Sequence, residues 1–428
     1  MPAGRRSTRW TSGRHRAMMR FNQLPKTGIE EALMQTIANL DALFSRATEH
    51  GEVPGVVAVA ASNSDILYEG AFGKRDLGKP EPMTLDSVFW IASMTKAVTT
   101  AGAMQLVEQG KLQLDEPVGK LIPELASLKV LDGFDESGAP KLRPATKPVT
   151  LRHLMTHTSG FCYDMWNTDM SRYIEQAGLP RIISCEKKAL SLPLANEPGT
   201  RWEYGIGIDF VGQAVEAASG KRLDAYLHDH IFAPLGMKDT GFALGEEQRK
   251  RLAGMHARQP DGTIQPMPFE MPQEPEFHMG GGGLYGTAHD YIRFIRMLLN
   301  RGTLDGNCVL KPETVATMSQ NHIGDLNMGK MPAAIPQVTN DVDLYPDQDK
   351  KWGLSFMINT QRTAEGRSPG SLAWAGLANT YYWLDPSGNV GGVILTQLFP
   401  FADKKVLDLF SGFERAVYEK LDGMKRAA

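Results

Sequence analysis

The runs of β composition in this chain stand near its two ends, and that distribution limits the fold more than any other feature. Early in the chain, Gly55–Ala61 (GVVAVAA) and Ile66–Ala71 (ILYEGA) flank Ser62-Asn63-Ser64-Asp65, the composition of a hairpin. Late in the chain, Trp352–Asn359, Tyr381–Leu384 and Val390–Leu398 have the same character, and Asp385-Pro386-Ser387-Gly388-Asn389 supplies a turn between the last two. Residues 112–270 lack it. There the spacing predicts helices over Leu151–Thr156, Ile208–Ala218 and Leu223–Ile231, with Pro- and Gly-punctuated loops between them. Strands at both ends and helices in the middle predict an α/β (α+β) fold, an antiparallel sheet flanked by helices with a mostly helical insertion. Residues 28–115 and 271–428 would make the sheet domain and 116–270 the helical one, with a site at their interface.

Helices are also expected at Leu33–Glu49, Met94–Val107, from Thr287-Ala288-His289-Asp290 through Leu299, at Lys311–Gln320, and from about Asp403 to Leu421. Residues 322–350 carry several Pro and Asp and few periodic apolar positions, so they read as a long ordered loop or flap. Residues 1–27 read as a disordered basic leader, with six arginines and no acid in the first 20. No apolar run approaches the 18 residues of a membrane span. A net charge of −3 argues against a nucleic-acid or membrane partner, and three scattered cysteines fit a reducing, cytoplasmic setting without disulfides.

Two Ser-x-x-Lys pairs occur, Ser93-Met94-Thr95-Lys96 and Ser184-Cys185-Glu186-Lys187. Side chains three apart on a helix share a face, so a lysine there can take the proton that makes a serine nucleophilic. Ser93 opens a long apolar-periodic stretch and follows Phe89-Trp90-Ile91-Ala92, an apolar wall that would hold a lysine partly neutral. Ser184 has no such helix, and Pro193 soon interrupts it. Gly366-Arg367-Ser368-Pro369-Gly370 matches a nucleophile elbow in letters only. No strand composition precedes it, and Pro369 removes the N–H that an elbow uses.

Phe89–Lys96 resembles the nucleophile motif of the serine β-lactamase and penicillin-binding-protein superfamily, nearest to the class C β-lactamase-like enzymes that include the family VIII carboxylesterases. Leu151–Gly160 (LRHLMTHTSG), Tyr204–Asp209 (YGIGID), Gly281–Asp290 (GGGLYGTAHD) and Trp374-Ala375-Gly376 are similar to further motifs of that family, in the same order. The resemblance implies Ser93 as nucleophile, Lys96 and Tyr204 as shared general base and acid, and an oxyanion hole from the N–H groups of Ser93 and Leu377. It implies a structural turn at His157. No metal is expected at His228-Asp229-His230, and no cofactor.

Two departures bear on substrate. Ile206 stands where class C β-lactamases carry an asparagine, and Trp374 where they carry a lysine. A site lacking both polar handles suits uncharged small-molecule esters over anionic amides. Phe161, Tyr163 and Trp166 are candidates to line an acyl or aryl pocket, and Trp374, Gly376 and Ile206 are further candidate substrate-binding residues. The expectation is a carboxylesterase with short-chain or aryl substrates. Class C-like β-lactamase, DD-peptidase and acyltransferase chemistry are the alternatives, and oligomeric state is not legible.

Overall fold

The computed structural model describes residues 28–427, at side-chain level 37–423; the basic leader lies outside them. Along the chain run α1 (Gly28–Glu49), β1 (Gly55–Ala61), β2 (Ile66–Gly73), α2 (Thr95–Glu108), α3 (Leu151–Met155), α4 (Gly207–Ser219) and α5 (Ala288–Leu299). Then come β3 (Lys350–Trp352), β4 (Met357–Asn359), β5 (Leu372–Gly376), β6 (Thr380–Asp385), β7 (Val390–Leu395) and α6 (Lys404–Ala427). The strands form one seven-stranded sheet in the order β3-β4-β5-β6-β7-β1-β2, with every neighbour antiparallel. The late strands thus close on the early hairpin through β7 and β1, where Val57 faces Leu395 and Val59 faces Val393.

Central position explains the composition of β1. All seven of its residues are buried, because helices cover both faces of the sheet and leave no wet side to alternate toward. α1 and α6 pack together on one face, where the rings of Phe44, Tyr68 and Phe413 lie with centroids within 6.0 Å of one another. α5 crosses the other face against β1 and β7. Thr287 caps α5 by accepting the Asp290 N–H at 3.1 Å, as the sequence predicts. The reciprocal half of the capping box is absent, because the Asp290 carboxylate instead accepts from the Asp239 N–H and the Thr240 hydroxyl, both at 2.8 Å.

Several expected elements change shape. Trp352–Asn359 is two strands, β3 and β4, since Gly353 donates to the Phe356 carbonyl at 2.8 Å and Ser355 turns to φ 71°. That turn is fixed from inside, by a 2.5 Å bond between the Ser355 and Thr100 hydroxyls. The middle segment is less purely helical than its composition predicts. It carries a hairpin of Lys129–Phe134 with Pro140–Pro144, whose turn is organised by Asp135 accepting from the Ser137 and Ala139 N–H groups. The helix at Leu223–Leu227 widens into a π turn over His228–Phe232, and α6 continues past Leu421 to Ala427. Residues 322–349 hold no strand or helix. They are ordered by isolated pairings such as Met331 with Val342 and Thr339 with Phe401. Among the described residues no helix is long and apolar enough to cross a membrane.

Candidate active site

The site is built where α2 begins. Ile91 leaves the short strand Phe89–Trp90, Ala92 takes φ 45°, and Ala92–Met94 makes a 3₁₀ turn that runs straight into α2. An alanine in the left-handed region is costly and persists only where surroundings hold it. Here Thr95 Oγ1 donates to the Ala92 carbonyl at 2.6 Å and accepts the Leu284 N–H at 3.1 Å, while Ile91 N–H donates to the Leu284 carbonyl. β5 presses on the same turn. A Cβ on Gly376 would sit 2.3 Å from the Ile91 carbonyl oxygen, so only glycine lets the strand end approach this closely.

Lys96, one helical turn on, is 1% exposed. Its Nζ lies 3.1 Å from Ser93 Oγ, 2.9 Å from the Tyr163 hydroxyl and 2.5 Å from the Gly281 carbonyl oxygen. The carbonyl can only accept and therefore claims one N–H. A neutral amine has one lone pair left, and the Ser93 and Tyr163 hydroxyls are the donors within its reach. Burial pushes the Lys96 ammonium well below its ordinary value, opposed by the charge of Asp209.

Tyr204 closes the group from α4's approach. Its ring centroid is 4.8 Å from Lys96 Nζ, and its hydroxyl accepts the Trp374 indole N–H at 2.8 Å and hydrogen-bonds the Ser93 side chain. Burial raises the Tyr204 phenol, and those two bonds pull it back. Burial likewise holds Tyr163 protonated. Ser93, Lys96, Tyr204 and Trp374, from three separate sequence motifs, therefore meet in one place.

The other expected positions divide. Leu377, Tyr163 and Trp166 join Ser93 around one cleft, whose remaining walls include Met165, Ile182, Ile183 and Met279. Trp166 is fixed by donating its indole N–H to Thr339 Oγ1 at 3.1 Å. Phe161 and Ile206 are buried away from that cleft. Phe161 stacks on Phe210 at 4.7 Å, and Ile206 is the residue before α4, with no exposed surface. His157, at φ 56°, accepts the Gly205 N–H through Nδ1 at 3.4 Å, and its ring lies 4.5 Å from that of Tyr204.

The competing motifs stay apart from any such group. Ser184 Oγ accepts the Glu186 N–H, and no hydrogen bond joins it to Lys187. Ser368 sits in a loop before a strand, its N–H given to Asp385. His228 is exposed beside Asp229, and His230 lies against Tyr226. Among the described residues no three His, Cys, Asp or Glu side chains are grouped to hold a metal ion. Sequence reading missed the bond of Tyr163 to Lys96, which spans 67 positions, and the placement of Asp209 beneath Gly281. Both residues lie in or beside quoted motifs, but only contacts across the fold reveal what they touch.

A family model described as Beta-lactamase matches residues 40–413. The monacolin J acid methylbutanoyltransferase of Aspergillus terreus is 31% identical over 408 residues, covering 90% of this chain and 97% of the relative. The lovastatin esterase of Penicillium rubens is 31% identical over 405 residues, covering 90% and 99%. Among solved structures, a mutant simvastatin synthase of Aspergillus terreus superposes with a TM-score of 0.78 at 30% identity, covering 91% of this chain and 98% of that one. EstCE1, described as a hydrolase with promiscuous acyltransferase activity, superposes at 0.70 over 92% and 100%. At 22% identity that likeness speaks to the fold.

Proposed function

Because the chain belongs to the β-lactamase family of serine hydrolases and acyltransferases, we propose that it transfers acyl groups from uncharged carboxylic esters through a Ser93 acyl-enzyme. The observation that carries this is the contact of the buried Lys96 Nζ with Ser93 Oγ at 3.1 Å, completed by Tyr204. Ser93 Oγ attacks the ester carbonyl carbon, and its proton passes to the Lys96–Tyr204 pair. The N–H groups of Ser93 and Leu377 receive the negative charge on the carbonyl oxygen. The bond to the alcohol breaks as the pair returns the proton to the leaving oxygen. Water, or an alcohol acceptor, then attacks the acyl-enzyme and loses its proton by the same path. Lys96 and Tyr204 titrate as one unit in this scheme.

Substrate class follows from what surrounds the pair. Trp374 spends its indole N–H on Tyr204, and Ile206 offers no hydrogen bond, so neither supplies the handle that an anionic lactam or peptide terminus needs. The Met165, Ile182, Ile183, Met279 and Leu377 walls suit a short, branched acyl chain, in keeping with the methylbutanoyl group named for the Aspergillus relative. We read the cleft as the interface of 28–115 and 271–428 with the 116–270 insertion. Relatives named as transferases and as an esterase make the fate of the acyl-enzyme the open choice. Transfer to an alcohol is the second reading, alongside plain carboxylesterase activity.

One assay tests both. p-Nitrophenyl esters of increasing and branched chain length, with and without an added alcohol, should give p-nitrophenol release in wild type that is lost in Ser93→Ala. Release that survives in Ser93→Ala sinks the proposal. Accumulation of the new ester when alcohol is added distinguishes a transferase from a hydrolase, and faster turnover of a chromogenic cephalosporin than of any ester would overturn the ester assignment.

A further inference from the structure

Asp209 is a fully buried carboxylate on α4 that the acyl-transfer scheme does not use. Its Oδ1 accepts the Gly281 N–H at 2.8 Å, and the carbonyl of the same glycine accepts from Lys96 Nζ at 2.5 Å. Its Oδ2 is buried with no hydrogen-bond partner. A Cβ on Gly281 would stand 2.8 Å from that oxygen. The carboxylate is therefore fitted tightly against the residue that fixes the lysine. An unpaired buried carboxylate oxygen is expensive, and a positive charge nearby offsets that expense.

We infer that Asp209 is a positioning residue for Lys96, acting through Gly281: it anchors the peptide that receives the lysine and supplies the counter-charge for the ammonium formed when Ser93 gives up its proton. This rests on the acyl-transfer reading above. Without the carboxylate, the Ser93 proton would have to arrive on a lysine in a nearly charge-free interior. Other groups also face the pair. Ser93 lies on the lysine's own turn, His157 and Tyr163 come from the segment after α3, and Tyr204 precedes α4. The charge of Asp209 also reaches Cys185. The thiol, the phenols and the imidazole are held neutral by burial. Asp209 is the carboxylate whose charge reaches Lys96.

The test is the pH profile of kcat/KM for a p-nitrophenyl ester. Asp209→Asn keeps an acceptor for the Gly281 N–H and removes the charge. With the ammonium less favoured, the acidic limb should move to lower pH by about one unit, with a lower plateau because the base is weaker. A limb that stays in place, or moves up, overturns the inference, whatever happens to the plateau. Gly281→Ala approaches from the other side and serves if Asp209→Asn does not fold. Its Cβ displaces the carboxylate, and the limb should shift in the same direction; an unmoved limb there is equally fatal. Ser93→Ala separates the two claims, since turnover surviving in it removes the acyl-enzyme reading itself. Turnover lost in Ser93→Ala with an unmoved Asp209→Asn limb removes only the role of Asp209.

Discussion

His157 shows how a residue of suggestive type can be occupied by structure. It follows the α3 turn in left-handed backbone, accepts the Gly205 N–H at Nδ1, and has no hydrogen-bond partner on Nε2. Burial, reinforced by the Lys96 charge, holds its pKa well below 6.5. Below pH 6.5 the unfolded imidazole takes a proton that the folded one refuses, so its contribution to stability is complete above that value and is lost as pH falls. Denaturant melts of wild type and His157→Gln should differ most near pH 8. The gap should narrow by at most about 1.4 kcal/mol per pH unit on acidification below 6.5; a gap that widens would mean the imidazole is charged in the fold. Residues of this kind mark the limit of sequence reading. Ser93, Lys96 and Tyr204 were legible because each sits in a local motif whose chemistry needs that residue type. The Tyr163 phenol on Lys96 and Asp209 under Gly281 were not, since no local pattern encodes a contact between distant segments.

Among the elements, the loop before β5 is tied to α6 by an ion pair in the interior. Arg367 and Glu414 are each 1% exposed, with Arg367 Nε donating to Glu414 Oε1 at 2.6 Å. Burial raises the Glu414 carboxyl and the guanidinium draws it back down. Removing one partner leaves the other charge buried alone. Arg367→Met or Glu414→Leu should each cost about 3–5 kcal/mol in urea melts, and the double substitution should recover most of it. Equal loss in all three variants would show the segment is held by something else. The same segment explains the Gly366–Gly370 motif. Its glycines take φ 121° and 84°, so they serve a turn that delivers Arg367 to α6. Element types were legible wherever composition matched one environment, as in β1. They were missed where a buried side-chain bond bent the backbone, as at Ser355.

At the scale of the molecule, the first and last described helices lie side by side on the sheet, with Phe44, Phe413 and Trp383 packed at their junction. Neither helix can bury its apolar face without the other, so Phe413→Ala should cost about 3–5 kcal/mol. It should lower the thermal midpoint while leaving kcat/KM below that midpoint nearly unchanged, since the junction is on the sheet face remote from Ser93. A parallel loss of kcat/KM would contradict this. The antiparallel sheet itself was legible from where the strand-like runs fall in the chain. The order in which they pair was not, because pairing of early with late strands is decided by burial on both faces.

The stretch 322–349 borders Trp166 through the Ala334 N–H donated to the Met165 carbonyl and the Trp166 indole N–H donated to the Thr339 hydroxyl. These tethers are few, and the backbone bond makes no demand on side-chain identity. Lys96 and Tyr204, by contrast, are buried, with Ser93 half-buried beside them. The candidate catalytic group and this border thus lie on separate parts of the chain. Changes of length or sequence along this border would therefore reach the Trp166 side of the cleft while leaving Lys96 and Tyr204 in place.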